Sequence, residues 1–253
     1  MKMLLGHEWV DRDDTIDVRD PFDDSIIDTV PAANHDDVEM ALATADKAKE
    51  TARAMTTYER ARVLYGTAQI IAGRIDEFAE VIAREGSKTI NEARGEARRC
   101  VNTLTISAEE AKRCQGETIP FDSFPGGEAR SGHYERVPIG VVLAITPFND
   151  PLNLVAHKLG PAIAGGSAVI LKPATVTPLS ALKLTEAFME AGLPAGVLQC
   201  ITGYGAGLGD ALVEDSRVRM VSFTGGVEAG ERIMSRIGLK KVGMELGSNS
   251  PVI

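Results

Sequence analysis

The sequence predicts an α/β protein: a Rossmann-like, doubly wound parallel sheet that follows an amino-terminal helical region. Three observations predict it. Beyond residue 139, five short apolar runs alternate with helix-length segments. The runs are continuous rather than alternating, the pattern of strands that helices bury on both faces. Glycine or proline follows each run, where a strand hands over to a crossover. Short right-handed crossovers of this kind build the sheet that binds nucleotides beyond the carboxyl ends of its strands.

Residues 1–34 read as a β arm of short strands and turns. "TIDVRDP" alternates until Asp20-Pro21 breaks it, and "SIIDTVP" follows as a second short strand. Residues 35–128 form the helical part. There Val38, Ala41, Leu42, Ala45 and Ala48 recur at helical spacing. Thr56 and Glu59 make a capping box that opens a second helix, with Ala61, Leu64, Ala68 and Ile71 as its apolar stripe. Two more helices end near "EEAKRCQG", where Gly116 supplies a stop. A Pro- and Gly-rich stretch leads into an exposed strand "HYERV" within residues 129–138. In the sheet region, residues 139–253, strands are expected at 140–146, 167–172, 197–202, 219–224 and 242–246. Helices are expected at about 152–165, 178–191, 206–214 and 227–237.

A chain of 253 residues with 44% hydrophobic and 25% charged residues has ample core for a globular protein. Its net charge of −9 argues against nucleic acid and anionic membrane surfaces as partners, since phosphate binding needs basic patches. The three cysteines and four histidines are scattered, which disfavours a metal site or a disulfide framework. No apolar run has the length of a membrane span and the amino terminus does not read as a signal peptide, so a cytoplasmic protein is expected.

Candidate site residues follow the strands. After the first, Asn149 stands between Pro147 and Pro151. It either forms an Asx turn that opens a helix or aims its amide into a pocket as an oxyanion donor. After the second, Lys172 either reaches ribose hydroxyls and phosphate or snorkels to the rim. Thr177-Pro178 reads as an N-cap followed by Pro at the first helical position. Gly203, Gly205, Gly207 and Gly209 allow close backbone approach after the third strand, or a plain turn. After the fourth, Gly225 and Gly230 flank a helix start that favours a pyrophosphate. After the fifth, Glu245 lies between Met244 and Leu246. In a desolvated pocket it becomes a general base; otherwise it is a rim carboxylate neutralised by Lys240 or Lys241.

In this order and spacing, "VPIGVVLAITPFNDPL", "GPAIAGGSAVILKPATVTP", "GLPAGVLQCITG", "VSFTGG" and "MELGSNSP" resemble the NAD(P)-dependent aldehyde dehydrogenase superfamily. "NEARGEA" and "DVRDPFDDSIIDTVP" extend the likeness over essentially the whole chain. The resemblance implies that Asn149 stabilises an oxyanion and that Glu245 activates the hydrolytic water. It assigns Thr146, Pro147, Lys172, Ala174, Thr175, Gly205, Phe223, Thr224, Gly225, Gly226, Gly230 and Leu246 to the NAD or NADP site, and no residue to a metal. In the family a cysteine thiolate attacks the aldehyde, hydride passes to the nicotinamide, and water releases the acid from a thioester.

That cysteine has no counterpart here, because Cys100 and Cys114 lie in the helical region and Cys200 in a strand. The chain is therefore expected to be the cofactor-binding half of an aldehyde dehydrogenase fold that lacks its catalytic domain. Its partners would be a small aldehyde, further copies of the enzyme in a homo-oligomer, or a complementing catalytic-domain chain. Thr175 stands where many NAD-preferring members place an acidic residue, which removes a repulsion against a 2′-phosphate. His157 stands where relatives acting on acidic semialdehydes place Arg, and with Lys158 it is similar to members acting on lactaldehyde or phosphonoacetaldehyde. That similarity implies a substrate with a polar or anionic tail; a helix histidine contacting the core is the alternative. A binding module without catalysis and a non-functional truncation product are the competing readings of the chain.

Overall fold

The computed structural model describes residues 1–248 and 250, the side chain of Ala206 excepted. Seven strands form one mixed sheet, in the order β11-β10-β7-β8-β9-β1-β2. Five of them are the expected parallel strands: β7 (Val141–Ile145), β8 (Ala168–Lys172), β9 (Leu198–Cys200), β10 (Val218–Gly225) and β11 (Lys241–Leu246). From β7 the chain winds outward through β8 to β9, then returns to the other side of β7 with β10 and β11. The switch point therefore lies between β7 and β10, where an α/β sheet opens a crevice for ligands.

The five strands foreseen within residues 139–253 pair in parallel as expected, and the amino-terminal arm adds two antiparallel strands that were not foreseen in this sheet. β1 (Met3–Leu5) joins β9 antiparallel, and β2 (Glu8–Val10) folds back on β1. The buried amide of Gln199 secures this addition: it accepts from Gly6 N–H at 2.6 Å and donates to Gly6 O at 3.2 Å. Gly6 adopts φ +63° in the turn, a conformation suited to glycine. The two strands foreseen in this region, β3 (Thr15–Arg19) and β4 (Ile26–Pro31), form a separate hairpin.

Helices cover both faces of the sheet. Side chains from one face, among them Ala144, Val169 and Leu171, pack against α2 (Thr57–Gly73), α4 (Ile90–Ala111), α5 (Asn153–Ala164) and α6 (Leu179–Glu190). Those of the other face, among them Leu143, Ile170 and Phe223, pack against α1 (His35–Ala54), α7 (Asp210–Glu214) and α8 (Val227–Met234). The expected apolar positions of α1 and α2 are all buried. The Thr56–Glu59 capping box forms as read. Among the described residues no helix is long and apolar enough to cross a membrane.

Three local expectations are corrected. Gly116 does not stop α4, which ends at Ala111. It sits where β5 (Glu117–Ile119) pairs with β6 (Gly132–Tyr134), and a Cβ there would lie 1.8 Å from Tyr134 O. The strand read as "HYERV" is confined to β6. Thr177 does not cap α6: its Oγ1 is buried without a hydrogen-bond partner, and Pro178 occupies the cap position.

Buried glutamates from the helical region cap the crossover helices instead. Glu85, closing α3 (Ile75–Glu85), accepts from Leu179 N and Ser180 N, each at 2.7 Å. Glu96 on α4 accepts from Leu152 N at 2.8 Å and Asn153 N at 2.9 Å. The helical region thus supplies acceptors for the otherwise orphaned first N–H groups of α5 and α6, and it orients the helices whose approach loops hold the site.

Candidate active site

Strand register brings the candidate residues into a row along the carboxyl edge. Lys172 pairs with Ile145, Ile145 with Phe223, Thr224 with Glu245, and Gly225 with Leu246. Alternation along the strands then divides the row between the two faces. Phe223 joins the α7–α8 side of the core. Thr224 and Glu245 face α5, because Thr224 Oγ1 accepts from Lys158 Nζ at 2.7 Å and donates to Glu245 Oε2 at 3.1 Å.

Lys158, named in the sequence only as the neighbour of His157, is placed beside these groups by the structure. Only 8% exposed, it also reaches Ser222 Oγ at 3.3 Å. Burial lowers its amine from 10.5 to about 8, and the nearby Glu245 carboxylate opposes that shift. A signal was present: Val155, Lys158 and Leu159 share the apolar stripe of α5, so a lysine there must point inward.

Glu245 is exposed, so of its two readings the structure favours the rim carboxylate over the desolvated pocket. Neither Lys240 nor Lys241 neutralises it. Lys240 donates to Val213 O, and the ammonium facing Glu245 through Thr224 is that of Lys158. Asn149 is exposed in the loop before α5, and its amide makes no hydrogen bond among the described residues. An Asx turn is not open to it: the N–H two residues on would be that of Pro151, which has none. Glu96 has already satisfied the start of α5, so the Asn149 amide is left free for a ligand.

On the opposite face, a cavity of about 290 Å³ opens between α7 and α8. Ile145, Phe223, Val213 and Ala229 give it apolar walls, and Lys172 and Gly205 also line it. Lys172 is 4% exposed and does not snorkel to the rim. Its Nζ donates to Pro173 O at 3.0 Å and makes no ion pair among the described residues. Burial lowers its amine from 10.5 to about 8. Thr146, also buried, has an Oγ1 without a partner.

The other candidates follow the same strand ends. Pro147, Ala174 and Thr175 are half-buried, and Thr175 Oγ1 donates to Gly203 O at 3.0 Å. Gly205 opens a wide π-type turn, Gly205–Gly209, ahead of α7, where a regular helix was expected. Gly226 stands at the start of α8 and leaves its first N–H groups without a side-chain cap. Gly225 and Gly230 are close-approach positions: a Cβ would meet the Phe223 ring at 2.5 Å and Leu246 Cδ2 at 2.7 Å respectively.

His157 stands apart from the cavity, exposed on α5 with Nε2 3.4 Å from Thr103 Oγ1. It is a surface residue, not a core contact. Near it, Lys88 and Arg99 both pair with Asp150, the residue after Asn149. Of the cysteines, Cys200 lies in β9 near Lys172, and Cys100 lies in α4 near Glu96. Cys100 and Cys200 are buried, and burial raises both thiols, that of Cys200 to about 12. Cys114 follows α4 and lies near Arg60, whose guanidinium reaches Ala164 O at the far end of α5. At about 1.5 Å per residue, that end is roughly 18 Å from the Asn149 loop.

Residues 9–253 match the aldehyde dehydrogenase family. The chain is 51% identical to aspartate-semialdehyde dehydrogenase 1 of Pseudomonas canavaninivorans, over 94% of this chain and 50% of that one. It is 48% identical to the 3-sulfolactaldehyde dehydrogenase of Priestia megaterium, over 99% of this chain and 52% of the relative. Among solved structures, the NADP-dependent glyceraldehyde-3-phosphate dehydrogenase of Bacillus halodurans C-125, complexed with NADP, superposes with a TM-score of 0.96 at 38% identity, over 99% of this chain and 53% of that chain. The chain spans about half the length of these relatives. With a family match over nearly its whole length, and with the doubly wound sheet that its sequence foretold, the chain belongs to the aldehyde dehydrogenase family.

Proposed function

We propose that this chain is the cofactor-binding part of a cytoplasmic enzyme that oxidises a small, anionic aldehyde to the carboxylic acid with NAD or NADP. The observation that carries this reading is the row of strand tips, with a buried, incompletely bonded Lys172 on one side and the Lys158–Thr224–Glu245 chain on the other. The residues fit a dinucleotide. An ammonium has three donors and Lys172 uses one on Pro173, the buried Thr146 hydroxyl is unpartnered, and the α8 amino terminus is uncapped. When bound, the nicotinamide supplies the hydride acceptor.

In this proposal residues 139–253 form the cofactor domain, residues 35–128 brace it, and the 1–34 arm and the 129–138 strand complete it. Lys172 and Thr146 hold ribose, and Thr175, being neutral, admits a 2′-phosphate beside it. Pro147, Ala174, Gly205, Phe223, Gly225, Gly226, Gly230 and Leu246 shape the walls and the phosphate cradle. Asn149 donates its amide to the oxyanion that forms at the aldehyde carbon. Glu245 takes a proton from the hydrolytic water, and Thr224 and Lys158 orient its carboxylate and connect it to the interior. The nucleophilic thiol comes from outside these 253 residues, because the two buried cysteines are held as neutral thiols and Cys114 sits at the wrong end of α5.

The substrate class draws on the relatives' names. Aspartate semialdehyde, 3-sulfolactaldehyde and glyceraldehyde 3-phosphate each carry an anionic tail. Exposed Arg99, which pairs with Asp150 beside Asn149, supplies a cation for such a tail, and exposed His157 a ring nitrogen that can bond to it. The burial of Cys100 and Cys200, and the place of Cys114 by the far end of α5, support a second reading, a nucleotide-binding part with no turnover of its own until a catalytic part joins it as a continuing chain, a separate chain or an oligomer partner.

Calorimetry of this chain with NADP and NAD, alongside an aldehyde panel, tests the reading. Dinucleotide binding without turnover is expected. Turnover by the 253 residues alone at the rate of an intact dehydrogenase would overturn the external thiol. In a protein carrying the thiol, His157→Ala should raise KM for anionic aldehydes more than for propanal, and equal effects would remove the anionic substrate class.

A further inference from the structure

The cavity between α7 and α8 has apolar walls but a charged outer end. Asp210, the first residue of α7, lines it from one side and Arg232, on α8, from the other. The two bond in a fork: Arg232 Nε donates to Asp210 Oδ1 at 3.0 Å and Nη2 to Oδ2 at 2.5 Å. Arg236 approaches the same carboxylate at 3.7 Å and pairs with Glu214. The four side chains tie α7 to α8 and the turn after it across the cavity's end. Arg232 Nη1 makes no hydrogen bond among the described residues, and each Asp210 oxygen can accept again.

Position along α8 orders the cavity's contents. The uncapped amino terminus at Gly226 suits the phosphates, and Ala229 and Ile233 supply an apolar wall for a flat base. Arg232 lies five residues beyond Val227, about 7.5 Å along the helix, at the far edge of such a base. We propose that Asp210 and Arg232 read that edge and select adenine. The inference rests on the dinucleotide reading of the site.

Adenine presents an exocyclic amine, a donor, beside a ring nitrogen, an acceptor. The pair offers the complement: the Asp210 carboxylate accepts from the amine, and the free Nη1 of Arg232 donates to the ring nitrogen. Hypoxanthine reverses both groups, setting a carbonyl against the carboxylate and an N–H against the guanidinium. The bridge makes the reading rigid, since each partner is already fixed by the other and the guanidinium is planar. Asp210 stays charged, as an acceptor must: Arg232 holds its carboxyl below the usual carboxylate range, with Arg236 adding to the effect.

The test is calorimetry of the 253-residue chain with NAD and with nicotinamide hypoxanthine dinucleotide, which differ only at this edge. The parent should bind NAD at least tenfold more tightly. Asp210→Asn, whose amide can turn either face to the base, should bring the two within about threefold, and Arg232→Leu should weaken NAD more than the hypoxanthine analogue. Melting curves show whether each variant is folded. Equal binding of the two dinucleotides by the parent overturns the proposal, and so does full discrimination in both folded variants. If the parent binds neither dinucleotide, the cofactor reading itself fails and takes the base selection with it. If one variant does not fold, the parent comparison and the other variant decide.

Discussion

Replacing Lys172 by Met should stabilise the fold and disable the site at once. The methionine keeps nearly the length of the lysine side chain but removes a buried ammonium that has one acceptor, Pro173 O. Burial lowers this amine from 10.5 to about 8. At about 1.4 kcal/mol per pH unit, keeping it charged at pH 7 costs folding roughly 3 kcal/mol. The lost hydrogen bond returns about 1 kcal/mol of that, leaving a net gain of about 2 kcal/mol, or roughly 4–8 °C in Tm for a chain of this size. The sign with pH follows. The folded pKa lies below the unfolded one, so the penalty is full below pH 8 and disappears as pH rises through 10.5. The variant's advantage should therefore vanish on the way to that upper limit, and above it the parent should be the more stable by about 1 kcal/mol, the value of its hydrogen bond to Pro173 O. Binding runs the other way. The parent's affinity for NADP should halve at pH 8 and fall about tenfold by pH 9, as the free amine deprotonates, whereas the weak binding of Lys172→Met should be flat over this range. Urea unfolding at pH 7 and 10 and calorimetry at pH 7, 8 and 9 measure both effects. A variant less stable than the parent at pH 7, or one that binds NADP as the parent does, refutes the reasoning.

Two further substitutions probe the supports of the site. Glu85→Ala should cost about 2–4 kcal/mol in urea unfolding, because Leu179 N–H and Ser180 N–H are left buried without acceptors. Burial raises Glu85 from 4.5 to about 7, so the native state takes up a proton below pH 7 that the unfolded chain takes up only near 4.5. The stability from this group is thus greatest at the acid end and declines through pH 7; Glu85→Gln should remove that slope between pH 5 and 7. Thr224→Val deletes the one hydroxyl that joins Lys158 to Glu245. In a protein carrying the thiol, the expected result is an intact NADPH burst with steady turnover slowed about tenfold or more, and unchanged steady turnover would dismiss the link.

The sequence by itself determined the class of fold, the order of its parallel strands and helices, and the family. Those features rest on local information: apolar runs such as "VVLAI" and "AVILK" can be satisfied only by burial on two faces, and capping residues such as Thr56 and Glu59 act on their own helix. The positions of Asn149, Lys172 and Glu245 were legible for the same reason, since a parallel sheet sends every strand's end to one edge. Tertiary structure decided what contact across the chain decides. β1 is three residues long and carries no pattern of its own; its place at the edge depends on β9 and on Gln199, 193 residues from Gly6. The caps of α5 and α6 come from Glu96 and Glu85, not from neighbouring residues, so the local signal at Thr177 misled. The flanking Met244 and Leu246 left open whether Glu245 sits in a desolvated pocket or at the rim, because side chains on a strand alternate between faces and the exposure of an edge strand is set by its partners rather than its neighbours. Lys158 joined the site because register set Thr224 opposite Glu245 and packing laid α5 over both, and no spacing within one segment encodes a meeting of three.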